Sequence, residues 1–189
     1  MKSFLATILL VAVVSQSLAN DRLIAAAGGS FAPSDGDSGT TASLLYFWST
    51  EERSSIGVEL ERRTFESRIF GVDGVEVDSW LLSTKLRYAI VPEGDVRWYV
   101  GGSIGVSVNK IDAGAVERSR SALFVTDVGT GLDLAALAGV DYRLSATTRL
   151  FAEAAYDVNF QLTEEFRGAG SGSEQLGGLS LKAGIGYAF

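Results

Sequence analysis

At alternate positions along the chain, six carboxylates (Glu59, Glu61, Asp133, Asp141, Glu153 and Asp157) fall on the same face as seven cationic side chains (Arg63, Lys85, Arg87, Arg97, Arg143, Arg149 and Lys182). Two kinds of chemistry could use them. Paired carboxylates can act as general acid and base in glycoside or lipid hydrolysis. Interleaved charges of both signs can instead form an ion-pair gate, a polar passage or a closed plug. The first reading is poorly equipped, because the chain has no His and no Cys. That removes Ser-His-Asp and Cys-His nucleophilic systems, imidazole or thiolate metal sites and imidazole pH switches. No phosphate-binding loop, calcium loop or metal-ligand spacing is present, and Asp35-Gly36-Asp37 is too short for calcium. No enzyme activity, cofactor or metal is therefore expected.

What sets these charges on one face is an alternation with a period of two, and almost no segment shows helical spacing. In residues 96 to 109, Val96, Trp98, Val100, Ile104, Val106 and Val108 alternate with Arg97, Tyr99, Ser103, Ser107 and Asn109. Residues 148 to 161 set Leu150, Ala152, Ala154, Tyr156, Val158 and Phe160 against Arg149, Phe151, Glu153, Asp157 and Asn159. The same split recurs at 55 to 65, 80 to 88, 132 to 143 and 179 to 189. Segments 22 to 32 and 41 to 49 complete eight strands, their faces blurred by Ala-Gly runs and by Leu45 and Phe47. Short links are expected at Thr50 to Ser54, Val91 to Asp95 and Ser145 to Thr147, and long polar ones at Pro33 to Thr40, Ser67 to Glu76, Lys110 to Gly131 and Thr163 to Glu174. Short turns at one end and long loops at the other, on an even number of antiparallel strands, are the plan of an outer-membrane barrel.

The N-terminus points to export. Lys2 precedes the apolar run Phe4 to Val14, and Ser17-Leu18-Ala19 suits a cleavage site, so residues 1–19 are expected to be a signal peptide and 20–189 the barrel domain. Without Lys2 the chain carries 15 Lys+Arg against 23 Asp+Glu, a side-chain balance of −8. So acidic a chain is ill-suited to neutralising phosphates, and no nucleic-acid partner is expected.

Alternation alone does not say which face meets lipid, and a soluble periplasmic ligand-binding barrel would turn its apolar face inward. Three features favour apolar outward. Aromatic residues of the apolar face gather at strand ends, with Trp48, Tyr88, Trp98, Tyr142, Tyr187 and Phe189 toward the short turns and Phe31, Trp80, Tyr156 and Phe160 toward the loops. Two such belts match interfacial girdles. The other face is too rich in Gly for a solubilising coat, and the sequence ends on an aromatic strand. That ending, Lys182-Ala183-Gly184-Ile185-Gly186-Tyr187-Ala188-Phe189, is similar to the C-terminal insertion signal of outer-membrane proteins, with Gly184, Tyr187 and Phe189 at the signal positions.

On these residues and the strand count, positions 20 to 189 resemble the small eight-stranded outer-membrane β-barrel family: the OmpA transmembrane domain, OmpX and the opacity-type adhesins. The resemblance implies an all-β, eight-stranded antiparallel up-and-down transmembrane barrel in a Gram-negative outer membrane. It also implies insertion by the barrel-assembly machinery. It does not fix a function, since such barrels serve as adhesins, envelope anchors or narrow solute passages. Barrels of this kind that are lipid A deacylases or omptin-type proteases use a catalytic His, which this chain lacks.

An eight-stranded barrel is just wide enough to be filled by side chains. The inward charges, chiefly Glu59, Glu61, Lys85, Arg87, Arg97, Asp133, Glu153, Asp157 and Lys182, are therefore expected to pair into a plug. Small inward residues (Gly101, Ser103, Gly105, Ser107, Gly184 and Gly186) keep open the alternative of a narrow porin-like channel for small solutes. Activity is expected in the loops. Arg62 and Arg68 near the outer rim could clamp lipopolysaccharide phosphates, and Arg118, Arg120 and Phe124 could meet a host or cell-surface partner. The expected role is surface structure and interaction, in adhesion or envelope integrity.

Overall fold

The computed structural model describes residues 21–31, 38–49, 53–69, 72–91, 94–112, 127–161 and 178–188. They form eight strands: β1 (Arg22–Phe31), β2 (Ser38–Ser49), β3 (Ser54–Ile69), β4 (Val72–Ala89), β5 (Val96–Asp112), β6 (Asp127–Arg143), β7 (Thr148–Gln161) and β8 (Gly178–Ala188). Each pairs antiparallel with its sequence neighbours, and β1 pairs with β8 from Arg22↔Ala188 to Phe31↔Leu179, which closes the barrel. Closure leaves no unpaired edge, a condition that backbone amides must meet in a hydrocarbon layer. At the seam the strands approach so closely that a Cβ on Gly184 would lie 2.1 Å from the Ala25 carbonyl oxygen. The expected signal peptide, residues 1–19, and Phe189 lie outside the described residues.

The alternation sorts the two faces as expected, with the apolar face outward. Lys85 is 3% exposed and its neighbour Leu86 is 55% exposed. A water-soluble barrel would show the reverse. Leu44, Leu60, Val100, Ile104, Val106, Leu134, Leu181 and Ile185 also stand on the exterior. Tyr88, Trp98, Tyr142 and Tyr187 ring it near the short turns, and Phe31, Trp80, Tyr156 and Phe160 ring it toward the loops. From Tyr88 to Trp80 the strand climbs about 26 Å at ~3.3 Å per residue, or about 20 Å along the axis at a tilt of ~40°. That height accounts for most of the ~25 Å apolar band of an outer-membrane barrel.

Two expectations about the links need correction. Positions 67 to 76 are not a long loop: β3 runs to Ile69 and β4 starts at Val72, with a register shift between Ser67 and Ile69. Likewise β5 extends to Asp112 and β6 starts at Asp127, so the third link shortens to 113–126. Around β3 and β4 the reason is an exchange of polarity. Above Trp80 and the Arg62 opposite it, the outward positions of β4 become polar (Asp78 and Glu76), while Val77 is buried inside. Hydrogen-bonded pairing continues into water with apolar residues inside and polar ones outside, so a pattern sought as apolar-outward ends at the membrane boundary although the strand does not.

At the other end, the turn after β4 uses Gly94 with φ +98°, a conformation that L side chains avoid. Ser145 Oγ accepts hydrogen bonds from the Thr147 and Thr148 amides and shapes the turn before β7.

These faces predict the response to a charge on the wall. Ile104→Arg, mid-wall and outward, is expected to lower the reversible urea-unfolding free energy in lipid vesicles by about 2–4 kcal/mol. Thr130→Arg, outward but opposite Val108 above the Trp80 level, should change it by less than about 1 kcal/mol. Equal, small effects would mean that the exterior meets water.

Candidate functional site

The candidate site is the lumen, where charges from strands that are not neighbours meet across the bore. Lys182 on β8 reaches Glu59 Oε1 at 2.8 Å and Glu61 Oε2 at 2.9 Å, both on β3. Lys85 on β4 lies 2.7 Å from Glu59 Oε2 and 2.5 Å from Glu153 Oε1 on β7. Arg63 Nε donates to Glu61 Oε1 at 2.6 Å, and its Nη2 donates to Asp157 Oδ1 at 3.1 Å. Arg87 Nη2 donates to Glu153 Oε2 at 2.6 Å, and the Tyr99 hydroxyl donates to the same oxygen at 3.2 Å. Four carboxylates (Glu59, Glu61, Glu153 and Asp157) thus face four cations (Arg63, Lys85, Arg87 and Lys182), all buried. The mesh is neutral as well as closed.

Strand geometry explains why the groups meet. Inward positions recur every second residue, so Glu59, Glu61 and Arg63 stack up β3, Lys85 and Arg87 up β4, and Glu153 and Asp157 up β7. Lys182 stands directly opposite Glu153 on the neighbouring strand, yet its amine lies 3.9 Å from Glu153 Oε1 and closer to the two carboxylates of β3. Thr41 on β2 donates to Glu61 Oε1 at 2.6 Å and fills a further acceptor position of that carboxylate.

Beside the mesh and just below it the lumen also holds apolar side chains. Ile24, Ala26, Leu45, Phe47, Tyr99, Leu137, Phe151 and Ala155 form a buried cluster. The Arg87 guanidinium sits 4.0 Å from the Phe47 ring centroid, 4.3 Å from that of Tyr99 and 4.9 Å from that of Phe151. Glycines make room for these rings: a Cβ on Gly57 would lie 2.4 Å from Phe47, and one on Gly139 would lie 2.2 Å from the Tyr99 hydroxyl. Other small inward positions are filled in the same way, Gly101 against Leu137 Cδ1 and Gly105 against Leu81 Cδ1. Residues that could have left room for water therefore accommodate neighbouring side chains instead. Above the mesh, Asn159 donates to Asp133 Oδ2 at 2.6 Å and to Ser107 Oγ at 2.8 Å, and Ser79 donates to Asn109.

Of the expected lumen residues, Glu59, Glu61, Lys85, Arg87, Glu153, Asp157 and Lys182 share one mesh. Asp133 belongs to the upper amide and hydroxyl cluster. Arg97 lies outside the mesh, near the short turns and directly opposite Asp141. Arg62 is not a free rim cation. Its Nε donates to Asp78 Oδ1 at 2.9 Å, and the guanidinium lies 5.7 Å over the Trp80 ring. Beyond the aromatic belt, that hydrogen bond holds the Asp78 carboxyl below its ordinary pKa. The side chain of Arg68, and Arg118, Arg120 and Phe124 entirely, lie outside the described residues. Gly184 lines the seam and Tyr187 faces outward.

Sequence reasoning did not single out Arg22, whose Nη1 donates to Asp141 Oδ2 at 3.1 Å across 119 residues. It also gave no role to Thr41 or to the Phe47, Tyr99 and Phe151 rings. The one available signal was the placement of Tyr99 and Phe151 on the charged face.

Comparison with solved structures places the fold. Neisserial surface protein A is similar with a TM-score of 0.62 at 14% identity, covering 90% of this chain and 97% of that one. Outer Membrane Protein W of E. coli gives 0.54 at 17% identity over 92% and 100%. The attachment invasion locus protein of Yersinia pestis gives 0.52 at 13% identity over 90% and 97%. The chain has the fold of the small eight-stranded outer-membrane β-barrels. No family model matches the sequence, and no curated protein matches it.

Removing one member of the mesh should cost more than removing a pair. Glu153→Gln leaves Lys85 and Arg87 short of a carboxylate and is expected to lower the unfolding free energy in vesicles by about 3–5 kcal/mol. Combining it with Lys85→Met should restore at least about 1 kcal/mol of that loss, giving a coupling energy that a double-mutant cycle reads directly. Strict additivity would mean that the two charges do not interact.

Proposed function

We propose that the chain is an outer-membrane barrel of a Gram-negative bacterium with a non-enzymatic role in surface interaction and envelope integrity. The reading places the loop ends outward and the short turns in the periplasm. The observation that carries it is the neutral mesh across the bore, roofed by amide and hydroxyl groups and floored by aromatic rings. A lumen so filled serves as a strut, and activity then falls to the parts outside the wall. The signal-peptide pattern of residues 1–19 and the placement of Gly184 and Tyr187 on β8 support export and insertion by the barrel-assembly machinery.

Partners on this reading are outer-membrane lipid and lipopolysaccharide around the wall and a host or cell-surface partner at the loops. Strands β3 to β6, of 16 to 18 residues, carry the wall beyond the apolar belt and raise the links above it. Arg62, tied to Asp78 and stacked on Trp80, offers lipopolysaccharide phosphates only its remaining donors. The name of the Yersinia pestis neighbour links that protein to attachment and invasion, which lends the adhesive reading a precedent on this fold.

Loop replacement tests the proposal. With residues 113–126 exchanged for a short Gly-Ser linker, the protein should keep its heat-modifiable band in the outer-membrane fraction. Attachment of expressing cells to cultured epithelium should fall to the level of the empty vector. Attachment unaffected by this and by the matching replacement of 162–177 would remove the adhesive role. The wild-type barrel is expected to give no steady conductance in planar bilayers, and steady channels abolished by Lys85→Ala or Glu153→Ala would replace this reading with a narrow channel.

A further inference from the structure

The outer wall is not evenly studded with side chains. On the side formed by β4 to β7 it carries a groove of about 700 Å³, lined almost wholly by apolar atoms. That volume falls within the ~300–1,000 Å³ of small-ligand sites. Its floor is Gly102 on β5 and Ala136 on β6, which stand directly opposite each other. Leu86 and Tyr156, their partners on β4 and β7, rise on either side. One step toward the loops, Ile104 and Leu134 form the far wall. One step toward the short turns stand Val100, Ala138 and Ala154, which do not line the groove, and two of these three are alanines. The groove is closed toward the loops and open toward the short turns. Gly102 lies four residues above Trp98, a climb of about 10 Å along the axis at ~3.3 Å per residue and a tilt of ~40°, which puts the floor near the middle of the ~25 Å apolar band.

Gly102 calls for a reason. A glycine inside a strand marks a bulge, a bend, or a place where another backbone or a ligand comes close. The pairing of β5 with β4 and β6 runs through Gly102 without a register shift. Backbone approach explains its neighbour, since a Cβ on Gly101 would lie 2.0 Å from the Leu86 carbonyl oxygen. A Cβ on Gly102 would meet the Ala135 carbonyl oxygen at 3.1 Å and nothing else among the described residues within 4 Å. What the missing side chain makes is the groove.

We propose that this groove is a binding site for one acyl chain of a phospholipid in the leaflet on the short-turn side, the chain rising past Ala138 and ending against Ile104 and Leu134. The occupant follows from continuity with the apolar wall: a groove in a surface that meets lipid is filled by hydrocarbon. Between an apolar wall and apolar solvent there is no hydrophobic gain, so retention rests on contact. A chain in the groove touches protein on its floor and both flanks, where a chain on the convex wall touches it on one side. A second barrel, itself convex, would meet the rim and leave the floor empty. The leaflet follows from the opening. A chain coming from the loop side is stopped by Ile104 and Leu134, whereas one from the short-turn side passes alanines. Half of a ~30 Å hydrocarbon core is about 15 Å, which lets a chain of that leaflet reach Gly102. The inference rests on the outer-membrane reading and is independent of the adhesive role.

The test carries the full barrel from nanodiscs of palmitoyl-oleoyl-phosphatidylglycerol into maltoside and weighs it by native mass spectrometry. The wild type is expected to retain one phospholipid. Gly102→Leu and Ala136→Leu, which fill the floor from two strands, should each cut the retained fraction by about tenfold. Ala27→Leu, outward on β1 and four residues below Phe31, adds the same side chain to plain wall and should leave it unchanged. In the nanodisc, nuclear Overhauser contacts should run from chain-terminal methyls to Ile104 and Leu134, and from mid-chain methylenes to Val100 and Ala138. The reverse order would overturn the assigned leaflet. Equal retention by the wild type and both groove variants would overturn the site. So would a dimer that both variants dissociate with no lipid bound, which would give the groove to a second copy. A wild type that inserts and shows its heat-modifiable band but retains no lipid sinks this inference alone, whereas failure to insert sinks the outer-membrane reading. Should Gly102→Leu fail to fold, Ala136→Leu and the wild-type contacts decide the matter.

Discussion

A closed ladder of eight tilted strands has a bore set by strand number and stagger, and at this size the bore must be filled by side chains. Everything inside it is then cut off from bulk water, so an inward charge must find its partner within the wall. The mesh of Glu59, Glu61, Glu153 and Asp157 with Arg63, Lys85, Arg87 and Lys182 meets that condition with four charges of each sign. Its bonds join β8 to β3 and β4 to β7, strands with no shared ladder. They brace the bore across its width, whereas backbone hydrogen bonds act only around its circumference.

Buried ion pairs are a poor source of net stability, since desolvation offsets much of the attraction and an apolar filling of equal volume often does as well. Here the polar filling also identifies which side of the wall is inside. Strand side chains have a period of two, so a slip of one residue exchanges the faces. It would carry Glu59, Lys85, Glu153 and Lys182 into lipid, at about 2–4 kcal/mol for each Arg or Lys near the midplane. An apolar lumen would leave the two faces alike and the register unspecified. The charges therefore set the register even where they add little to the folding free energy. The rings of Phe47, Tyr99 and Phe151 serve the same bore differently: they seal one end and give Arg87 three aromatic faces while it bonds Glu153.

This division explains how far the sequence could be read. Where each strand keeps apolar residues out and polar ones in, as in 96 to 109 and 148 to 161, the faces and the mesh members follow from the period alone. The pattern fails where that rule does. Phe47 and Leu45 are apolar and inward, so β2 reads as faceless, yet they belong to the aromatic floor. Arg22 and Asp141 stand 119 residues apart and meet only because the barrel closes, a fact of topology that neither local segment contains. Most of the link expected at 67 to 76 is strand, as β3 runs to Ile69 and β4 starts at Val72, for a related reason: above the Trp80 level the polarity of the two faces exchanges, and a single binary pattern cannot follow both sides of a phase boundary.

That boundary bears on function. Between the two aromatic belts the wall is constrained on both faces, by lipid outside and by the filled bore inside, and it has little freedom to acquire a ligand other than lipid. Above the upper belt, lipid no longer constrains the exterior, and β3 to β6 continue with side chains free to be chosen by a partner. On the proposed reading, recognition therefore falls to the strand ends above the upper belt, and the filled bore below them serves to hold those ends in place.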